Sequence, residues 1–160
     1  MTIEPGDLTH LDDDGRVRMV DVGSKAPTRR IATARASVAM ERSTRERLFE
    51  GGRDKGDALA ATRIAAIQGA KRTSDLIPLC HPLPVDRIDV DIDPTDEGAT
   101  ITVTVGVEAR TGVEMEAMTG AAVGALAMYD MIKGVDRSAH VTEVVLEAKS
   151  GGRSGDWVRA

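Results

Sequence analysis

Two charged residues near the end of a predicted helix could act as an acid–base couple. Asp130 and Lys133 are three positions apart, which places both side chains on one face of a helix. A carboxylate at that distance can orient an amine, and its charge favours the protonated amine. The same spacing is typical of a surface ion pair that contributes well under about 1 kcal/mol. The pattern leaves open both interpretations and the direction of any proton transfer.

A second lysine could neutralise a phosphate. Lys55 lies in a predicted loop, residues 51–56, directly before a helix for which Asp57 is a plausible N-cap. The free N–H groups of a helix N-terminus bind anions, and a nearby ammonium would add its charge. The chain contains no Gly-x4-Gly-Lys-Ser/Thr phosphate loop. An ordinary surface lysine is therefore the other interpretation.

A cysteine and a histidine stand between two prolines. Pro78 and Pro82 bracket Leu79, Cys80 and His81, and prolines stiffen such a segment, so that His81 is preorganised to hydrogen-bond a ligand. A buried structural thiol is favoured for Cys80 over a thiolate nucleophile. A zinc site would need three or four ligands at recognisable spacing. The chain has a single cysteine and three widely separated histidines, so we predict no metal site.

Two glutamates flank a methionine where a strand is predicted to meet the longest helix. Glu114 and Glu116 could accept hydrogen bonds from the donor edge of a heterocycle. In the alternative interpretation they only stabilise the positive end of the helix dipole.

Composition excludes several classes of protein. The 160 residues are 41% hydrophobic, 2% aromatic and 29% charged, with a net charge of -5. This is typical of one soluble domain with an aliphatic core. So few aromatic residues disfavour a single-strand nucleic-acid groove. One cysteine and no long apolar run predict a cytoplasmic protein. Residues 16–72 carry fourteen basic side chains against six acidic ones, which suits an anionic ligand or a solvated basic face.

The periodicity of apolar residues predicts the elements that must position these side chains. Alternation predicts strands over 30–40, 88–93, 101–107 and 141–148, the middle two forming a hairpin. Helices are predicted over 43–50, with a Ser43/Glu46 capping box, and over 115–133, capped by Gly134. A third is predicted over 58–71, with Ala60, Ile64, Ile67 and Ala70 or Lys71 on one stripe. Apart from the extra short helix the order is βαββαβ. The predicted fold is α+β, a ferredoxin-like antiparallel sheet with helices on one face.

We divide the chain into a flexible lead-in (1–14), one globular domain (15–148), which the family resemblance described below implies to be catalytic, and a basic glycine-rich tail (149–160). The small residues on one face of the longest helix predict close packing against the sheet or a second subunit. The face is formed by Ala117, Gly120, Ala121, Gly124 and Ala127 or Met128.

With these residues in hand, the sequence resembles the MoaC family, the cyclic pyranopterin monophosphate synthases of molybdenum cofactor biosynthesis. Segments spread over nearly the whole chain carry the resemblance. They are Leu8-Thr9-His10, Met19-Val20-Asp21-Val22, Lys55-Gly56-Asp57, Ala70-Lys71-Arg72-Thr73, Leu76-Ile77-Pro78-Leu79-Cys80-His81-Pro82-Leu83, Thr111-Gly112-Val113-Glu114-Met115-Glu116-Ala117, Tyr129-Asp130-Met131 with Lys133, and Ala148-Lys149-Ser150-Gly151-Gly152.

The resemblance implies a reaction and a set of roles. A cyclised dihydroguanosine triphosphate would be rearranged to the cyclic pyranopterin with release of pyrophosphate, by a lyase that needs no cofactor or metal. Asp130, Lys133 and Lys55 would be catalytic. The residues implied to bind substrate or line its pocket are Leu79, Cys80, His81, Met115, Glu116, Glu114, Asp21 and Lys149. The family also implies a homohexamer, a trimer of dimers, with sites at dimer interfaces.

One departure from the family pattern is Arg153, where many members have lysine. The charge is kept, but an arginine does not replace a compact ammonium at every site. The main alternative function is a small-ligand (nucleotide) binding regulatory module of the same fold without catalysis. A nucleic-acid binder is disfavoured because the clearest strands are acidic and lack aromatic residues.

Overall fold

The computed structural model describes residues 9–153 and 155–160, with only the backbone described over 52–57. In chain order its elements are β1 (Thr28–Ala39), α1 (Arg42–Glu50), α2 (Gly52–Lys71), α3 (Thr73–Leu76), β2 (Arg87–Pro94), β3 (Gly98–Ala109), α4 (Glu114–Ile132), β4 (His140–Ser150) and β5 (Trp157–Val158).

The strands form one antiparallel sheet in the order β2-β3-β1-β4-β5. The first four positions are the order expected of a ferredoxin-like fold, and β5 adds a short edge strand beside β4. The α+β prediction and the β2–β3 hairpin are therefore confirmed.

The core is aliphatic and lies between the sheet and the α2–α4 layer. Alternate side chains of β1 and β3 are buried because strand residues point to opposite faces in turn. On β1 these are Ala32, Ala34, Ala36 and Val38, and on β3 they are Ile101, Val103, Val105 and Val107. The opposite face of the sheet is polar. There Arg35 bonds Glu143 and, at 2.7 Å, Glu147.

Small residues allow α4 to lie close to both α2 and the sheet. A Cβ added at Gly120 would meet the carbonyl oxygen of Ala66 at 3.1 Å, and one added at Gly124 would meet the Ala66 Cβ at 3.1 Å. The same two positions touch β3 side chains. The predicted close packing of this helix face against the sheet is confirmed, and the facing helix α2 shares it.

The predicted apolar stripe of α2 is right at Ile67, which packs against the core, and at Ala70, which is buried, but wrong at its other two positions. Ala60 is exposed and Ile64 is 61% exposed, whereas Thr62 and Ala66 are fully buried. The buried side of α2 is the side that meets α4, where only small side chains fit. Close helix approach, rather than local hydrophobicity, selects the buried face.

Two predictions about helix starts are also wrong. The segment 51–56 is not a loop, because α2 begins at Gly52. Helix α1 begins at Arg42 with Glu41 as its N-cap, and no side-chain capping bond is made there. Instead of completing a capping box, Glu46 accepts a hydrogen bond from Arg42 Nε at 2.7 Å.

The end of α4 differs from the prediction as well. Lys133 is the C-cap and has a right-handed conformation, and Gly134 does not adopt a positive φ. The amides of Val135 and Asp136 both donate to the carbonyl oxygen of Ile132 at 2.9 Å. Because this turn satisfies the end of the helix, no left-handed glycine is needed.

The chain ends differ from their predicted description. Residues 1–8 of the predicted lead-in lie outside the described residues, and Leu11 forms an isolated antiparallel bridge with Val17. The last strand extends two residues beyond its predicted end, to Ser150, and Trp157–Val158 pair with it.

In the part of the chain that the structure describes, no helix has the length and apolar character needed to cross a membrane.

Candidate functional site

A cavity of about 300 Å³ lies at the N-terminal end of α4. Three separate segments meet there: the proline-bracketed loop, the strand-to-helix junction at 111–116, and the N-terminal segment before β1. The lining residues are Thr9, His10, Val20, Val22, Lys25, Leu79, Cys80, His81, Leu83, Thr111, Gly112, Glu114, Met115 and Glu116. Six of the eight predicted substrate-binding residues are among them.

Glu114 is held over a glycine and beside a lysine. Its carboxylate folds back onto Gly112, where an added Cβ would come within 1.8 Å of Glu114 Oε2. On its other side, Lys149 Nζ lies 3.2 Å from Glu114 Oε1. The glycine thus leaves room for the carboxylate, and β4 brings the predicted residue Lys149 to the edge of the cavity.

Glu116 is the most perturbed carboxyl group of the cavity. It is only 4% exposed, and burial raises its pKa to about 7. A hydrogen bond from its own backbone amide opposes this shift in pKa, and the charge of Glu114 reinforces it. Near neutral pH, Glu116 can therefore hold or release a proton, as a general acid or base requires.

Cys80 is a neutral thiol rather than a thiolate. Burial, and then the negative charge of Glu116, raises the pKa of Cys80, whereas a nucleophilic cysteine needs a lowered pKa. A backbone turn, in which the Cys80 amide donates to the carbonyl of Ile77 at 3.1 Å, presents Cys80 and His81 to the cavity. Their place in an irregular segment is as predicted.

The predicted catalytic pair lies at the other end of α4. Lys133 Nζ is 2.6 Å from Asp130 Oδ1. The hydrogen bond and charge of Asp130 raise the pKa of Lys133, so the lysine is an ammonium and can act as an acid. Sixteen residues separate Asp130 from Glu114, which at 1.5 Å of rise per residue is about 24 Å. Within one chain, the pair and the cavity do not meet.

The remaining two predicted residues stand apart. Asp21 lies between the cavity-lining residues Val20 and Val22, but its side chain is exposed and accepts a hydrogen bond from the Gly23 amide at 2.7 Å. Lys55 belongs to the first turns of α2, and its side chain lies outside the described residues.

His10 and Lys25 line the cavity and were not among the predicted site residues. A signal was present for each. His10 ends one of the segments that carry the family resemblance, and Lys25 lies in the basic part of the chain. Neither spacing nor periodicity connects them to residues 79–81 and 112–116, because that proximity comes from tertiary folding.

Over 9–153 and 155–160, leaving aside the side chains of 52–57, no three histidine, cysteine, aspartate or glutamate side chains converge in a way that could hold a metal ion. The polar side chains that line the cavity include lysine, histidine and carboxyl groups. Such groups can bind anions and transfer protons.

The fold and the cavity together define a class. The chain is a ferredoxin-like α+β protein with a cavity of mixed charge at the start of its longest helix. Residues 19–152 match the model of the MoaC family. The chain therefore belongs to the MoaC family.

Similar proteins cover almost the same length. One from Streptomyces griseus is 53% identical over 152 residues, 95% of this chain and 86% of the relative. One from Thermomicrobium roseum is 48% identical over 155 residues, 96% of this chain and 93% of the relative. One from Streptomyces coelicolor is 52% identical over 153 residues, 96% of this chain and 90% of the relative. Each is named cyclic pyranopterin monophosphate synthase.

Proposed function

We propose that this protein is a cyclic pyranopterin monophosphate synthase of molybdenum cofactor biosynthesis. It would act as a lyase on 3′,8-cyclo-7,8-dihydroguanosine 5′-triphosphate, forming the cyclic phosphate and releasing pyrophosphate. The observation that carries the proposal is the cavity, in which the Leu79–His81 and Gly112–Glu116 segments meet within a chain about half identical to proteins of that name.

The cavity supplies groups suited to a nucleotide-derived heterocycle. Glu114 and Glu116 present carboxyl oxygens that can accept hydrogen bonds from ring N–H groups. Glu116 can also exchange a proton near neutral pH, because its pKa is about 7. Lys149 and Lys25 add positive charge for an anionic substrate, and His81 can donate to a phosphate or carbonyl oxygen.

Asp130 and Lys133 would assist the release of pyrophosphate. As an ammonium, Lys133 can stabilise charge that develops on the leaving pyrophosphate and can protonate it. Asp130 keeps Lys133 in this state by the short contact between them. We assign Lys55 to the phosphates, as the family resemblance implies.

We further propose that two subunits build each site. An exposed stripe along α4 includes Met115, Leu126 and Lys133, whose successive spacings of eleven and seven positions place them on one face. Leu126 is 60% exposed. If α4 packed antiparallel to its copy about a two-fold axis through this stripe, the Asp130–Lys133 end of one subunit would meet the cavity of the other.

Three such dimers would form the homohexamer that the family resemblance implies. We place the reaction in the cytoplasm, in keeping with the single cysteine of the chain.

The test is turnover by the purified full-length protein. We expect release of pyrophosphate and formation of the cyclic pyranopterin from the cyclised dihydroguanosine triphosphate. Lys133→Ala and Asp130→Asn should each lower kcat by about a hundredfold or more, since general acid catalysis contributes about that much.

A matched control is Arg42→Ala, which removes a cation from another ion pair on an exposed helix face, that of Arg42 and Glu46. This variant should retain the parental rate. If the folded parent binds the nucleotide but releases no pyrophosphate, the catalytic proposal is wrong and the non-catalytic binding module takes its place.

A further inference from the structure

The C-terminal hairpin places an aromatic residue beside the lysine of the site. Lys149 pairs with Ala32 of β1 on one side and with Trp157 of β5 on the other. Directly opposite residues of antiparallel strands point to the same face, with Cβ atoms about 4.5–5.5 Å apart. Lys149 is therefore flanked by Ala32 and Trp157 on one face of the sheet, and its ammonium reaches Glu114.

Two hydrogen bonds from Arg159 fasten the end of β5 to β4. The Arg159 amide donates to the carbonyl of Glu147 at 2.8 Å, and Arg159 Nε donates to the carbonyl of Leu146 at 2.7 Å. The guanidinium also lies over the Trp157 ring, 5.7 Å from its centroid, at a distance where a cation and an aromatic ring attract each other. These contacts hold Trp157 in its position opposite Lys149.

The turn between the two strands fits closely against β1. Gly151 and Gly152 have φ values of +89° and +76°, and a Cβ at Gly151 would come within 2.2 Å of the Arg29 carbonyl oxygen. The Gly151 amide donates to Asp156 Oδ1 at 3.2 Å. The glycine-rich segment is therefore shaped to return the chain alongside Lys149.

We propose that β5 is a positioning element of the active site, in which Trp157 confines the Lys149 side chain so that its ammonium faces the cavity. Among the described residues that line the cavity, none belongs to β5. The strand acts through Lys149 and is not itself catalytic. This inference rests on the proposed function, because it concerns the affinity of that site for an anionic substrate.

The expected effect appears in KM. Restraining a side chain in advance removes an ordering cost of about 0.7–1.4 kcal/mol, which corresponds to a threefold to tenfold change in affinity. Trp157→Ala should therefore raise KM about threefold to tenfold while leaving kcat within about twofold. Trp157→Phe, which retains a ring beside Lys149, should restore most of the affinity.

Val158→Ala is the matched control. Val158 is the neighbouring residue of β5, it is 72% exposed, and its side chain points to the other face of the sheet. A merely structural role of β5 would affect both variants alike, so an equal rise of KM in Val158→Ala would overturn the proposal. An unchanged KM in folded Trp157→Ala would do so too.

A binding measurement separates this proposal from the proposed function. Calorimetric titration with inorganic triphosphate should show weaker binding to Trp157→Ala than to the parent, whereas adding Trp157→Ala to Lys149→Met should weaken binding no further than Lys149→Met alone. If the parent does not turn over but this pattern is found, the proposed reaction fails and the positioning role stands. If the parent turns over and the variants bind alike, the positioning role fails.

Discussion

The carboxyl group of Glu116 is buried, and burial disfavours its ionised form. Its pKa of about 7 exceeds the usual 4.5 because the carboxylate is desolvated. The folded protein therefore holds one more proton than the unfolded chain between about pH 4.5 and pH 7. Linkage then requires the contribution of this group to stability to fall as pH rises through that window. The site retains a destabilising residue, as is common where a proton must be exchanged.

We predict that Glu116→Gln is more stable than the parent at alkaline pH. The neutral amide avoids the cost of a buried charge, which is at most about 3 kcal/mol from a shift of that size. The free energy of unfolding, measured by urea denaturation, should be higher in the variant at pH 8 and similar to that of the parent near pH 4. Glu50→Gln, at an exposed carboxyl of α1, serves as the control. A difference independent of pH would contradict the prediction.

At the scale of elements, the contact between α2 and α4 determines the position of both groups of proposed catalytic residues. The first turn of α4 carries the cavity glutamates and its last turn carries Asp130, so any shift of this helix moves both. The contact depends on side chains no larger than a methyl group, with Ala66 facing Gly120 and Gly124. Enlarging a residue at such a contact forces backbone shifts or strained side chains.

Ala66→Val should therefore lower the free energy of unfolding by about 1–3 kcal/mol. Ala60→Val makes the same replacement on the exposed side of α2, so it carries the same loss of helix propensity without the overpacking. The midpoints of thermal unfolding of the two variants provide the comparison. Equal midpoints would mean that α2 and α4 do not pack as closely as the structure indicates.

At the scale of the whole molecule, the separation of the two ends of α4 is the main feature. About 24 Å along the helix divides the Asp130–Lys133 pair from the cavity, and the exposed side chain of Leu126 lies between them. An antiparallel arrangement of two copies would cover that surface and unite the two ends. The proposed dimer thus accounts for both the incomplete site and the exposed stripe.

Co-expression of two inactive variants tests the shared site. Lys133→Ala and Glu116→Ala alter opposite ends of α4, so a mixed dimer would have one intact site and one doubly altered site. With random pairing, about a quarter of the parental sites should be restored. The control pair, Lys133→Ala with Asp130→Asn, alters the same end and should restore none. A lack of recovery in the first pair, with mixed dimers shown to be present, would indicate that each site lies within one subunit.

The sequence by itself was sufficient for the order of strands and long helices, because alternation and helical periodicity are local consequences of backbone geometry. It was also sufficient for the family and for the candidate residues, whose types and order are visible in the printed chain. The predicted proline-bracketed loop and the glutamate-bearing junction both line the cavity. The small-residue face of α4 was likewise predictable, since only close packing favours so many glycines and alanines.

Only the tertiary structure decided which of those residues meet. The buried side of α2 follows from its approach to α4 rather than from its own apolar residues, which is why the predicted stripe was wrong at Ala60 and Ile64. The pKa of Glu116 depends on desolvation by distant segments. The strand at Trp157 depends on pairing with β4, because two residues carry too little periodicity to predict a strand. In the first two cases the deciding contacts join residues far apart in the chain, and local spacing carries no information about them.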